Sequence, residues 1–191
     1  MKRLPIIIIA AIIAVAAISC KTGDDVDNWS KYREWRELNN AWLADTINYI
    51  DPKTGELYFT KIVPSWDAGA AVYMHWFNDR SLTADALSPL RTSTVDVKYR
   101  GTDFLRQPFD SSYLSTSPAD SVLRFKVQNL VEGWNIALNQ MHVGDSVEVI
   151  IPYTFGYGNI AQKNSKGEVA IKPYSHLVFN MKLVGVPSLY K

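Results

Sequence analysis

The 191-residue chain has a single cysteine, Cys20. An intrachain disulfide is therefore excluded, and so is a structural zinc site built on several cysteines. Histidine is nearly as scarce. His75, His142 and His176 stand in unrelated contexts, with no carboxylate or cysteine at ligand spacing, so no metal site is expected. Neither sign of charge is in excess. The formal net charge of +1 becomes −1 if residues 1–19, with Lys2 and Arg3, are removed. Neither value supplies the concentrated basic face that nucleic acid requires, so no nucleic-acid partner is expected. No glycine-rich loop is followed by Lys-Ser or Lys-Thr, and no nucleophile elbow occurs, so phosphate-loop and serine-hydrolase chemistry have no footing. Internal repeats and low-complexity tracts are missing too.

Apolar and aromatic residues are plentiful: 47% of the chain is hydrophobic, with ten Tyr, seven Phe and six Trp, enough for a real core. Residues 4–18 form an apolar run behind Lys2 and Arg3 and lead into Ala17-Ile18-Ser19-Cys20. The run is shorter than the roughly 20 residues that cross a bilayer. Small residues before a cysteine, directly after an apolar stretch, resemble the lipobox of bacterial lipoproteins. That resemblance implies a signal peptide over 1–19, lipidation of Cys20, a tether over 20–28 and attachment to the cell-envelope membrane by several acyl chains. Asp24, Asp25 and Asp27 behind the cysteine resemble surface-export signals of some Bacteroidetes lipoproteins, which implies a Gram-negative source.

From residue 29 to about 50 the periodicity is helical. Trp29, Tyr32, Trp35, Leu38, Trp42, Leu43, Thr46 and Ile50 recur at spacings of three and four, with Asn28 or Ser30 as candidate caps and turn chemistry at 51–55. This amphipathic extension, residues 29–56, is expected to dock on the chain's own domain, 57–191. The domain reads mainly as strands. Residues 57–63 and 70–77 are apolar and aromatic, whereas 78–90 reads as a loop or short helix. Val95, Val97 and Tyr99 alternate with polar residues, as do Leu123, Phe125 and Val127, then Val147, Val149 and Ile151, and finally Leu177, Phe179, Met181 and Leu183. Such alternation predicts a sheet with one buried side. The single helical stretch among them is 133–141, with Trp134, Leu138 and Met141 as a narrow apolar stripe. The fold class is therefore α+β: a curled antiparallel β-sheet wrapped around one short α-helix, with an N-terminal helical extension.

Within residues 95–184 a series of short motifs keeps a fixed order. Val95-Asp96-Val97-Lys98-Tyr99-Arg100-Gly101 is followed by Phe109-Asp110-Ser111-Ser112, then by Val131-Glu132-Gly133-Trp134. Tyr157-Gly158 comes next, and Ile171 and Leu177-Val178-Phe179 close the series. The set resembles the FKBP-type peptidyl-prolyl cis/trans isomerase family. The resemblance implies the same curled sheet around a helix, no cofactor, and one cavity lined by Tyr99, Phe109, Leu123, Leu130, Val131, Trp134, Ile171 and Phe179. In it Trp134 would lie under the proline ring, the Tyr157 hydroxyl would bond a substrate carbonyl, and Asp110 would sit beside the rotating amide. The segment between Ser112 and Leu123 has no arginine to pair with that aspartate, and the stretch 158–171 is longer than in minimal members. Implied partners are proline-containing polypeptide clients, a macrolide ligand, and a second copy bound through the N-terminal helix. The alternative is a non-catalytic chaperone or binding lipoprotein with the same fold.

Overall fold

The computed structural model describes residues 24–115 and 121–187. The expected leader, Cys20 and the first residues of the tether lie outside the described residues. Among those described, no helix is long and apolar enough to cross a membrane.

The chain opens with helix α1 (Asp24–Lys31), a break at Tyr32, and helix α2 (Arg33–Ile47). The acidic residues expected in the tether thus begin a helix, and Asn28 and Ser30 lie inside α1 instead of capping the next one. Tyr32 caps α2 without a side-chain hydrogen bond. The turn at 51–55 is tight: the Asp51 carboxylate accepts from Lys53 N–H at 2.9 Å, and Ile50 bridges Leu57 across it.

A seven-stranded antiparallel sheet follows. Its strands are β1 (Thr60–Ile62), β2 (Val72–Trp76), β3 (Thr94–Thr102), β4 (Pro108–Ser111), β5 (Leu123–Lys126), β6 (Ser146–Ile151) and β9 (Leu177–Gly185). The order is β1-β2-β6-β9-β3-β4, and β5 also pairs with β3, beyond the end of β4. Helix α3 (Ser112–Ser115) is a single turn after β4, and α4 (Glu132–Asn139) packs on the sheet. Strands β7 (Gln162–Lys163) and β8 (Val169–Ile171) form a separate antiparallel hairpin within the long stretch 158–171.

Two burial patterns depart from the sequence expectation. Helix α4 carries no narrow stripe: every residue from Gly133 to Leu138 is buried, because the sheet curls around it. Strand β6 is covered on both sides. Val147, Val149 and Ile151 belong to the main core with α4, but Ile150 joins Phe59 and Val178 in a second cluster on the reverse side. Trp42 and Leu43 of α2 pack against that second cluster. This contact ties the N-terminal helix to the domain; a fully buried side chain of this size contributes about 1.5–3 kcal/mol, and the half-buried Trp42 and Leu43 part of that each.

The buried face of α2 also differs from the apolar stripe. Leu38 is half exposed, whereas Arg36 and Asn39 are buried. Their polar ends are used: Arg36 donates to the Trp29 carbonyl at 2.8 Å, and Asn39 donates to the Trp35 carbonyl at 2.7 Å. The loop 78–90 contains one 3₁₀ turn, Arg80–Leu82, and is fastened to the domain by the buried Asp145. Burial alone would raise the pKa of Asp145. Hydrogen bonds from His142 N–H, the Thr83 hydroxyl and the Asn78 amide, with Arg80 nearby, hold it below the usual carboxylate range.

Candidate active site

At the centre of the concave side stands Trp134, 1% exposed, on the first turn of α4. Three rings meet it edge-on: Tyr99 at 5.2 Å and 88°, Phe179 at 5.2 Å and 82°, and Phe125 at 6.1 Å and 74° between centroids. Edge-to-face packing of this kind suits the quadrupoles of the rings and fixes their orientations. The indole N–H finds no hydrogen-bond partner among the described residues, so packing alone orients the ring. Phe109 meets Phe179 at 5.6 Å and 85°. Both rings close over Gly101, where a Cβ would come within 2.6 Å of Phe109 and 2.7 Å of Phe179. Glycine at the end of the β3 motif is therefore what lets the two walls approach the backbone.

Of the residues expected to line the cavity, Tyr99, Phe109, Trp134 and Phe179 are linked by direct ring contacts. Tyr99, Leu130, Val131, Trp134, Ile171 and Phe179 are buried members of a single core cluster, and Phe109, Leu123 and Tyr157 pack against it, half-buried. Asp110 joins them through its neighbours. Its Oδ2 accepts the Tyr99 hydroxyl at 2.6 Å, and its Oδ1 accepts Ser111 N–H at 2.8 Å. Both carboxylate oxygens are thereby oriented without an arginine, which the sequence lacks in this segment. The serines after Asp110 have their own work: the Ser112 hydroxyl accepts Tyr99 N–H at 2.9 Å, where the β3–β4 ladder ends.

Two phenols face this carboxylate. Burial, then the Asp110 hydrogen bond and charge, push the Tyr99 pKa far above its ordinary value of 10.0. Burial first and the Asp110 charge second push Tyr157 up to about 12. Tyr157 therefore keeps its proton at any physiological pH and remains a hydrogen-bond donor, half-buried against the apolar core. Among the described residues, no group of His, Cys, Asp and Glu could hold a metal ion.

Two participants escaped the sequence reading of the site. Phe125 packs on both Tyr99 and Trp134, whereas Leu123 supplies only an aliphatic neighbour. The signal was present, because Leu123 and Phe125 share one face of β5. The other is His176, 2% exposed, immediately before Leu177. Burial lowers its pKa from 6.5 to about 4, so the ring is neutral. An unfolded chain takes up this proton below about pH 6.5 and the native protein does not until about pH 4. Stability is thus fully present above pH 6.5 and lost as pH falls through that window, by about 3 kcal/mol in all. Urea midpoints from pH 7 to 4 should fall more steeply for the wild type than for His176→Asn, since acid-sensitive carboxylates such as Asp145 are common to both. Parallel curves would remove His176 from the account.

A family model described as FKBP-type peptidyl-prolyl cis-trans isomerase matches residues 87–184. FkpA of Escherichia coli strain K12, an FKBP-type peptidyl-prolyl cis-trans isomerase, is 31% identical over 99 residues, 52% of this chain and 33% of FkpA. Its crystal structure superposes with a TM-score of 0.53 at 24% identity, over 85% of this chain and 61% of that one, which shows a shared fold. FK506-binding protein 2 of Aspergillus oryzae is 33% identical over 105 residues, 53% of this chain and 71% of the relative. Outer membrane protein MIP of Legionella longbeachae is 32% identical over 98 residues, 51% of this chain and 38% of the relative. The matched stretch thus spans about a third of FkpA and most of the fungal protein.

Proposed function

This chain belongs to the FKBP-type peptidyl-prolyl cis-trans isomerase family, and on that premise we propose that it accelerates rotation about X-Pro peptide bonds in polypeptide clients. The observation that supports the reading is the aromatic cluster: Trp134 held edge-on by Tyr99, Phe125 and Phe179, with Phe109 on Phe179 and the Asp110 carboxylate on the Tyr99 hydroxyl.

The reaction breaks no covalent bond. Its barrier of about 20 kcal/mol is the amide resonance lost when the C–N bond twists, and the uncatalysed event takes tens to hundreds of seconds. The planar amide separates charge between nitrogen and oxygen, and the twisted amide has lost most of that separation. A dry aromatic cup therefore accepts the twisted form better than the planar one, and this differential binding lowers the barrier. The proline ring lies on Trp134. The Tyr157 hydroxyl donates to a substrate carbonyl, and Asp110, oriented by Tyr99 and Ser111, sits by the carbonyl of the rotating bond. No nucleophile or cofactor takes part.

A protease-coupled assay on a proline peptide tests the proposal. The rate should rise in proportion to enzyme. Tyr157→Phe and Asp110→Asn should each lower kcat/KM about five- to tenfold, the worth of one hydrogen bond, with the urea midpoint nearly unchanged. Equal losses of activity and stability would make the two residues mere packing, and no rate enhancement by wild type would leave a binding module. Attachment to the cell envelope through Cys20 belongs to the same proposal, supported by the leader pattern and by the name of the Legionella relative. Protein recovered from the envelope fraction should carry the added mass of acyl chains, and recovery at unmodified mass rules attachment out.

A further inference from the structure

His176 joins the N-terminal helix to the turn that carries Tyr157. On one side, His176 N–H donates to Asn39 Oδ1 at 3.0 Å, and its Nε2 lies 3.1 Å from Asn40 Oδ1. On the other, Nδ1 lies 3.0 Å from the Tyr153 backbone nitrogen. Tyr153 can only donate there, so Nδ1 bears no proton and Nε2–H donates to Asn40. The two ends of the ring thus fix one neutral tautomer, in a side chain almost wholly shielded from water.

The Tyr153 N–H is the leading donor of the 3₁₀ turn Tyr153–Phe155, and such a donor has no partner within its own turn. The turn then closes on itself, with Gly158 N–H donating to the Tyr153 carbonyl at 2.9 Å, and Tyr174 N–H donating to the Gly158 carbonyl at 2.8 Å. Tyr157 therefore sits in a loop whose two ends are both fastened to residues 174–176. That segment is in turn gripped by the N-terminal helices. Trp35 Nε1 donates to the Ser175 hydroxyl at 3.0 Å. The Arg36 guanidinium lies 3.2 Å over Trp29 and 5.5 Å from Tyr174, and the Lys172 ammonium lies 4.0 Å over Trp35.

We propose that helix α2, acting through His176, is the positioning element for Tyr157: the docked extension sets the geometry of the isomerase site although none of its residues reaches the cup. The proposal rests on the isomerase reading above. His176 touches no substrate, so it is a positioning residue.

The test uses the full chain, with kcat/KM on a proline peptide and backbone amide exchange at Tyr153. In His176→Gln the longer amide reaches the Nε2 place and keeps Asn40, but leaves Tyr153 N–H without an acceptor. In His176→Asn the shorter amide keeps the Tyr153 acceptor but loses Asn40. Asn40→Ala removes only the bond to Nε2, leaving Asn39 on His176 N–H, at an exposed position where folding is not at risk. Expected are a loss of about tenfold in kcat/KM for His176→Gln with faster Tyr153 exchange, and about threefold for His176→Asn and for Asn40→Ala. The double variant His176→Asn/Asn40→Ala should stay near threefold, because both changes cut the same link. All three single variants lying within twofold of wild type, or the two threefold losses multiplying in the double variant, would overturn the proposal. An inactive wild type whose Tyr153 exchange still responds to His176→Gln and Asn40→Ala would instead overturn the isomerase reading and leave the linkage standing.

Discussion

Trp134→Ala should abolish most isomerase activity and cost about 3–5 kcal/mol of stability, the range for emptying a large aromatic from a packed core. The two losses have one cause. Trp134 is enclosed by Tyr99, Phe125 and Phe179, each held edge-on to it. Removing the indole leaves those rings without the surface that orients them, and leaves the proline ring without a floor. Trp134→Phe separates packing from catalysis. The indole N–H has no partner among the described residues, so phenylalanine forfeits no hydrogen bond there. The phenylalanine variant should lose about 1–2 kcal/mol for incomplete filling and keep kcat/KM within about tenfold of wild type. Urea denaturation and the proline-peptide assay at a temperature where both variants are folded give the two numbers. An alanine variant that retained full activity while folded would end the view that this ring is the floor of the site.

The second large effect belongs to Gly133. Inside a helix alanine is favoured over glycine by up to about 1 kcal/mol, and Gly133 is the second residue of α4, so propensity alone predicts a small gain from Gly133→Ala. The structure predicts the reverse. A Cβ at this position would stand 2.2 Å from Ile151 Cγ2 and 2.9 Å from both Cγ1 and Cδ1. Ile151 is fully buried on β6 and cannot swing away, so α4 must lift from the sheet, carrying Trp134 with it. Net destabilisation of about 3 kcal/mol is expected, at the upper end of overpacking costs. The partner test is Ile151→Ala, which removes all three clashing atoms. Alone it should cost about 2–5 kcal/mol as a cavity. Combined with Gly133→Ala it should cost less than the sum by more than 1 kcal/mol, because each change relieves the other. Additive costs would show that Gly133 answers to something other than this contact.

Much of the fold was legible residue by residue. Val95, Val97 and Tyr99 are buried on β3 while Asp96 and Lys98 stay nearer solvent, as their alternation required. Leu177, Phe179, Met181 and Leu183 likewise share the inward side of β9. The gathering of Tyr99, Phe109, Asp110, Trp134, Tyr157 and Phe179 was legible too, but only because their motifs occur in one order along the chain. Nothing in any single motif states that β3 and β9 are neighbours. Helix α4 and strand β6 were misread in the same way. A one-sided pattern was expected of each, and each is covered all round, α4 by the curl of the sheet and β6 by the docked N-terminal helix. Arg36 and Asn39 escaped notice because periodicity searches count apolar residues, whereas these polar ones are buried with their hydrogen bonds made.

By itself the sequence determined what is local or one-dimensional: which residues alternate, where helices can start and stop, which chemistries have no reactive group, and which ordered motifs mark the family. These follow from covalent geometry and side-chain chemistry, which are present in the unfolded chain. The tertiary structure alone decided that Gly133 must be glycine, that Asp110 is oriented by Tyr99, and that Asn40 reaches the Tyr157 turn through His176, 136 positions away. Each of these depends on two distant segments meeting within hydrogen-bond or van der Waals reach. Forces of that range leave no periodic trace along a chain until it has folded.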